Sequence, residues 1–358
     1  MLYETKNPHG GDIYGEKKIE IDFSANINPL GTPLGVLKAV EASLPELLHY
    51  PDPYCRKLVR RIAEFEGVPE SFILCGNGAA ELIYSYCEAL CPRTAVELAP
   101  TFSEYALGLE RAGSRIKRFP LRSDHGFAPD RSFLDFLEEA KPDAVFLCNP
   151  NNPTGRLLDG ELVKEILSFT YRRGIRLFLD ECFLDLTDSG VSMKPSLERY
   201  PNLLILKAFT KSYGMAGLRL GYCLTGDGKL LSKMAKTVQP WNVSVPAQAA
   251  GIAALSEDAF LRKTKEIIQR ERAWLTEELK AVGFSVCPSD ANFILFQGPS
   301  SLQEDLLELG IAIRNCENYF GLSAGWFRIA VKRHEENRIL ISAIRRICGK
   351  EQPWQKIL

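Results

Sequence analysis

Lys211 stands between two hydroxyl side chains, Thr210 and Ser212, a few residues after the apolar run Leu203 to Leu206, and Arg219 follows eight positions later. An amine delivered at a strand end can condense with an aldehyde, while the hydroxyls and the guanidinium offer donors and positive charge to a phosphate. Alone, such a lysine would read as an ordinary surface residue. Other segments change that. The run Arg176 to Leu179 reads as a buried parallel strand that delivers Asp180 at its carboxyl end, where ligands bind in open α/β sheets. A carboxylate there can stay ionised by pairing with a protonated pyridine nitrogen, and Glu181 beside it reads as structural. The segment Cys148-Asn149-Pro150-Asn151-Asn152-Pro153-Thr154-Gly155 follows another apolar strand. Its Asn and Pro content makes a rigid turn that can aim an amide, best that of Asn152, at a ring oxygen.

A strand over 71–75 runs into Gly76-Asn77-Gly78-Ala79-Ala80-Glu81 and then a helical pattern to Leu90, an arrangement that cradles anions or simply caps a helix. Phe102, in Pro100-Thr101-Phe102, can lie flat on a ring or fill the core, and both readings stand. An aldehyde, a pyridine nitrogen, a ring hydroxyl and a phosphate together describe pyridoxal 5'-phosphate.

The ordered set GNG, PTF, NPNNPTG, DE and the run from Lys211 to Arg219 resembles the fold-type I pyridoxal phosphate enzymes of the aminotransferase class I and II superfamily. The ends narrow the resemblance. His9-Gly10-Gly11, the run Asp22 to Gly31, Gln239-Pro240-Trp241-Asn242-Val243, the run Ile313 to Tyr319 and Trp326 to Val331 are similar to the threonine-phosphate decarboxylases, relatives of the histidinol-phosphate aminotransferases. The resemblance implies Lys211 for the aldehyde, Asp180 for the pyridine nitrogen, Asn152 for the ring hydroxyl and Phe102 for stacking. It implies Gly78, Ala79, Thr210 and Arg219 for the phosphate, joined by Tyr50 from a second subunit of a homodimer with shared active sites. Where the aminotransferases carry a tyrosine three residues after the aspartate, this chain has Phe183, as the decarboxylases do.

The alternation of strands near 71–75, 94–98, 143–148, 176–181, 203–208 and 220–224 with helical patterns predicts an α/β fold with a mainly parallel sheet between helices. The region after Ser256 predicts a long amphipathic helix to Val282. Strands near 284–287, 292–296, 311–314 and 326–331, with helices near 301–309 and 334–347, predict a smaller α+β domain. The expected division is an N-terminal segment over 1–35 packing on the small domain, a large cofactor-binding domain over 36–240, and a connecting helix with the small domain over 241–358. A chain of 358 residues with 46% hydrophobic content suits such a two-lobed core.

A net charge of -1 carries no nucleic-acid or membrane footprint. The apolar runs fall short of the roughly 20 residues of a membrane-spanning helix. The start lacks the order of a signal peptide, which predicts a cytoplasmic enzyme. The 10 cysteines are scattered without paired CxxC sets, so neither a metal site nor a disulfide framework is expected.

Once an amino acid replaces Lys211 at the aldehyde, the bond held perpendicular to the ring is the one that breaks. A perpendicular carboxylate leaves as carbon dioxide; a perpendicular Cα hydrogen permits amino transfer. Lys211 is the candidate proton donor. Arg314 and Arg328 are assigned to the anionic substrate, because guanidinium forks grip carboxylate or phosphate at two points. Asn28 and His9 can add donors, His9 with a plain N-terminal loop as its alternative; Ser24 is a weaker candidate, and Trp241 is expected to pack. The function implied is decarboxylation of a small phosphorylated amino acid, L-threonine O-3-phosphate, to (R)-1-aminopropan-2-yl phosphate for cobalamin biosynthesis. Serine phosphate is a second substrate, since one methyl discriminates by only about 1–3 kcal/mol. The alternatives are histidinol-phosphate aminotransferase using 2-oxoglutarate, and a non-catalytic protein that keeps the cofactor as a ligand.

Overall fold

A computed structural model describes residues 9–15 and 17–349. A two-residue strand, β1 (Ile21–Asp22), precedes the main sheet. That sheet has seven strands: β2 (Ile73–Gly76), β3 (Thr94–Ala99), β4 (Arg115–Pro120), β5 (Ala144–Cys148), β6 (Arg176–Asp180), β7 (Leu203–Ala208) and β8 (Gly221–Leu224). They lie in the order β2-β8-β7-β6-β5-β3-β4. The pairs from β7 to β4 are parallel, while β8 runs antiparallel to both its neighbours.

Alternation along the central strands explains both coats of helices. Val145, Leu147, Leu177, Leu179, Leu203 and Ile205 enter one core, and Ala144, Phe146, Phe178, Leu204 and Leu206 the other. Strands buried on both faces read as continuous apolar runs, which is why most were visible in the sequence. The edge strand β4 was not foreseen. Its six residues, RIKRFP, include three cations, and it is partly solvated.

A second sheet has the order β12-β13-β10-β9, from β9 (Ser285–Val286), β10 (Phe293–Gln297), β12 (Arg314–Asn315) and β13 (Trp326–Ala330). The single strand expected over 311–314 divides in two. Ile311–Ala312 (β11) pairs in parallel with β1, whereas β12 pairs antiparallel with β13. Phe23 donates its backbone N–H to Ala312 at 2.7 Å and accepts from Ala330 at 2.8 Å, so the N-terminal segment is stitched to this sheet. Phe23 is fully buried in its core. The helix Asp258–Val282 runs between the two regions with buried Thr264, Ile268, Glu271, Leu275, Leu279 and Val282. That spacing is the core-facing stripe of an amphipathic helix.

Candidate active site

Three parallel strands end at one cavity. β5 leads into the turn that carries Asn152, β6 ends on Asp180, and β7 runs into the one-turn helix Phe209–Ser212 that carries Lys211. The chain then returns as β8, with Ala208 opposite Gly221, and brings Arg219 back toward the start of the helix Gly78–Leu90. The cavity holds about 210 Å³ and is walled by residues from both sheets and by His9 and Gly10. Of the predicted residues, His9, Ala79, Phe102, Asn152, Asp180, Thr210, Lys211, Arg219, Arg314 and Arg328 line it.

Asp180 is 5% exposed. One carboxylate oxygen accepts from the backbone N–H of Cys182 at 2.8 Å and the other from the hydroxyl of Tyr105 at 2.6 Å. Burial pushes its pKa up, against these bonds and the charge of Lys211. Lys211 shifts the opposite way. Desolvation, reinforced by the positive charges of Arg328 and Arg219, lowers its amine from 10.5 to about 8. A neutral amine, the nucleophilic form, is thereby available near neutral pH. Its Nζ lies 5.7 Å from the ring centre of Phe183, which packs edge-on against Phe293.

Arg314 and Arg328 face each other across β12 and β13 as directly paired residues. Both are buried. Arg328 donates to the side-chain oxygen of Asn152, to the carbonyl of Ser24 at 2.9 Å and, at 3.4 Å, to the hydroxyl of Tyr319. None of these is a carboxylate, and its Nε has no hydrogen-bond partner among the described residues. A buried cation held only by neutral groups is prepared for an anion. Arg314 donates to Asn318 at 2.6 Å and lies over the Tyr319 ring. His9 bonds Glu104 at 2.6 Å, and its ring stands 5.7 Å from that of Phe102. Ser24 is on the wall, with its hydroxyl already donating to Asp22 and accepting from Gly11.

Three expected contributors are not on that wall: Gly78, which lies against Arg219, and Asn28 and Tyr50. Asn28 is buried away from the cavity wall, its NH2 group donating to the carbonyl of Ser212 at 2.7 Å and to Thr264 at 3.0 Å. Its oxygen accepts from Leu30. It clamps the lysine turn to the long helix, and the structure does not bring it to the cavity as a substrate donor. Tyr50 is 78% exposed and stacks on Trp241 at 4.6 Å. Trp241, 47% exposed, packs on Tyr50 and is not on the cavity wall. Two residues were missed. Tyr105 is fully buried behind Asp180, and its only sequence signal is its place one helical turn after Phe102. Asn26, 3% exposed on the cavity wall, keeps a side-chain oxygen with no hydrogen-bond partner among the described residues.

The arrangement fits pyridoxal phosphate. Gly78 has φ +79°, and a Cβ there would meet the Arg219 guanidinium at 2.5 Å, so a hydrogen side chain keeps that cradle open. Asp180 offers a buried carboxylate that a pyridinium would match, and Lys211 an amine lowered to about 8, so that a larger share of it is neutral near pH 7. A cluster of His, Cys, Asp and Glu able to hold a metal ion is absent among the described residues.

Comparison with known proteins agrees with this geometry. The family model for aminotransferase class I and II matches residues 18–344. A threonine-phosphate decarboxylase of Salmonella typhimurium is 35% identical over 95% of this chain and 96% of its own. Among solved structures, histidinol-phosphate aminotransferase from Clostridium acetobutylicum superposes with a TM-score of 0.86 at 28% identity, over 92% of this chain and all of the other. L-threonine-O-3-phosphate decarboxylase from Porphyromonas gingivalis does so with 0.83 at 26%, with the same coverage. By its motifs, its fold and its near full-length relatives, the chain belongs to the aminotransferase class I and II family, whose enzymes work with pyridoxal phosphate.

Proposed function

We propose that the protein is a pyridoxal phosphate-dependent carboxy-lyase that converts L-threonine O-3-phosphate to (R)-1-aminopropan-2-yl phosphate and carbon dioxide, a step in cobalamin biosynthesis. The observation that carries the reading is the pair of buried arginines, Arg314 and Arg328, offered to one small cavity beside Lys211. A substrate with a carboxylate and a phosphate answers both charges. The decarboxylase relative, 35% identical over nearly the whole chain, supports it.

When bound, the cofactor supplies an electron sink for the pair left behind by the departing carboxylate. Lys211 would hold its aldehyde, and its amine would be the proton donor to the substrate carbon. Asp180 would pair with the pyridine nitrogen and favour its protonated form. Asn152, whose oxygen accepts from Arg328, would have its NH2 end free to donate to the ring hydroxyl, and Phe102 would hold the ring. Gly78, Ala79, Thr210 and Arg219 receive the phosphate. Arg314, Arg328 and His9 would hold the substrate anions, and Phe183 on the wall, backed by Phe293, would keep water from the reacting carbon.

Tyr50 completes the phosphate site of a second subunit in a homodimer. Support comes from its exposure together with exposed Leu34, Leu37, Leu44, Leu47 and Leu48 nearby in the chain. Among the described residues no helix is long and apolar enough to cross a membrane. The eight buried cysteines are thiols, which supports a reducing, cytoplasmic setting.

The test is carbon dioxide release from L-threonine phosphate by cofactor-loaded protein, without keto acid, against a Lys211→Ala control. Lysine-dependent release supports the lyase. Amino transfer from histidinol phosphate to 2-oxoglutarate, with no carbon dioxide release, would establish the aminotransferase instead, the reading favoured by the Clostridium structure.

A further inference from the structure

We infer that Tyr105 is a positioning residue for the cofactor's pyridine end: its hydroxyl fixes the rotamer of Asp180 and keeps that carboxylate charged. The inference rests on the reading of Asp180 as the partner of the pyridine nitrogen.

The geometry comes from one helical turn. Phe102 caps the helix Ser103–Arg111 and faces the cavity; Tyr105, three residues on, is turned inward and is absent from the cavity wall. Its ring is packed by Phe102, Phe146 and Phe178 at centroid distances of 5.6, 5.9 and 6.0 Å. A side chain held on three sides by aromatic rings has one place for its hydroxyl, and that place is 2.6 Å from Asp180 Oδ2. Asp180 Oδ1 is held by the Cys182 backbone N–H at 2.8 Å. Both oxygens are therefore held by protein donors, which fixes the plane of the carboxylate.

A buried phenol and a buried carboxylate that share one short bond must divide one proton between them. Burial and the Asp180 charge push the Tyr105 phenol well above its ordinary range, so Tyr105 is the donor and Asp180 the acceptor. The other titratable or charged groups facing Asp180 are the thiols of Cys148 and Cys182, both pushed up and neutral, and the Lys211 amine. Without the phenol, the hydrogen bonds opposing protonation of this buried acid are reduced to those around Cys182. A protonated Asp180 cannot pair with a pyridinium.

The test compares Tyr105→Phe, Asp180→Asn, the double variant and Phe146→Leu, with cofactor dissociation constants measured by equilibrium dialysis between pH 6 and 8.5 and melting temperatures recorded alongside. Tyr105→Phe is expected to weaken cofactor binding about tenfold or more at neutral pH, the size of one charge-assisted hydrogen bond. Its affinity should fall further as pH drops, with a midpoint higher than in the parent. In the Asp180→Asn background the same change should alter affinity less than about twofold. Phe146→Leu, which loosens the packing without touching the carboxylate, should leave the pH profile in place. Tyr105→Phe binding with unchanged affinity and profile overturns the inference, as does a matching shift in Phe146→Leu. If Asp180→Asn alone binds as the parent does, the reading of Asp180 fails first.

Discussion

Replacing Lys211 with methionine should stabilise the cofactor-free protein, and the gain should depend on pH. The amine falls from 10.5 to about 8 because its charged form is poorly solvated and sits near Arg328 and Arg219. At about 1.36 kcal/mol per pH unit that displacement corresponds to ~3.4 kcal/mol, which the partial exposure of the side chain reduces to roughly 1–2 kcal/mol. The sign follows from proton counting. Between pH 8 and 10.5 the unfolded chain binds more protons at this lysine than the folded one, so the parent gains stability as pH rises. Below pH 8 both states are protonated and the full penalty remains. Methionine removes the titration but adds a constant apolar contribution, so the stability difference should be largest at pH 6–7 and shrink toward pH 9.5. Urea unfolding of both apo proteins across that range measures it. A difference that stays flat with pH would refute the argument, whatever its size.

Gly78→Ala should weaken cofactor binding by about tenfold or more, because a methyl at φ +79° is strained and collides with the Arg219 guanidinium; unchanged affinity in equilibrium dialysis would show that this cradle does not hold the phosphate. Glu97→Gln tests a buried acid away from the cavity. Burial raises Glu97 to about 7 despite its 2.8 Å bond to Arg118, so the folded state binds the extra proton between about pH 4.5 and 7 and the parent loses stability as pH rises through that window. The melting temperature of the variant relative to the parent should therefore rise from pH 5 to pH 8, and a constant offset would contradict it.

Strand ends carried most of what the sequence disclosed. Asp180, Asn152 and Lys211 each follow an apolar run, and a parallel sheet turns that local pattern into convergence at one edge. Where a residue's partners lie far along the chain, the sequence was mute. Asn28 resembles a binding residue by type, yet its amide is consumed by Ser212 and Thr264, 184 and 236 positions away. Tyr105 carries only the faint signal of standing one helical turn after Phe102, because its role depends on a helix docking behind Asp180 rather than on a motif. β4 was missed for a different reason: an edge strand needs only one buried face, and Arg115, Lys117 and Arg118 mask the alternation.

The register that sets Arg314 opposite Arg328 has a bearing on how such a protein can diverge. Like charges facing each other across two strands weaken a sheet, so exchanging either arginine for a neutral residue relieves the fold while damaging its use. Mutational drift toward smaller, uncharged substrates is then downhill in stability, and holding both arginines requires continual purifying selection for doubly anionic ones. A laboratory lineage released from that demand should lose one of the two early, and should become harder to unfold as it does.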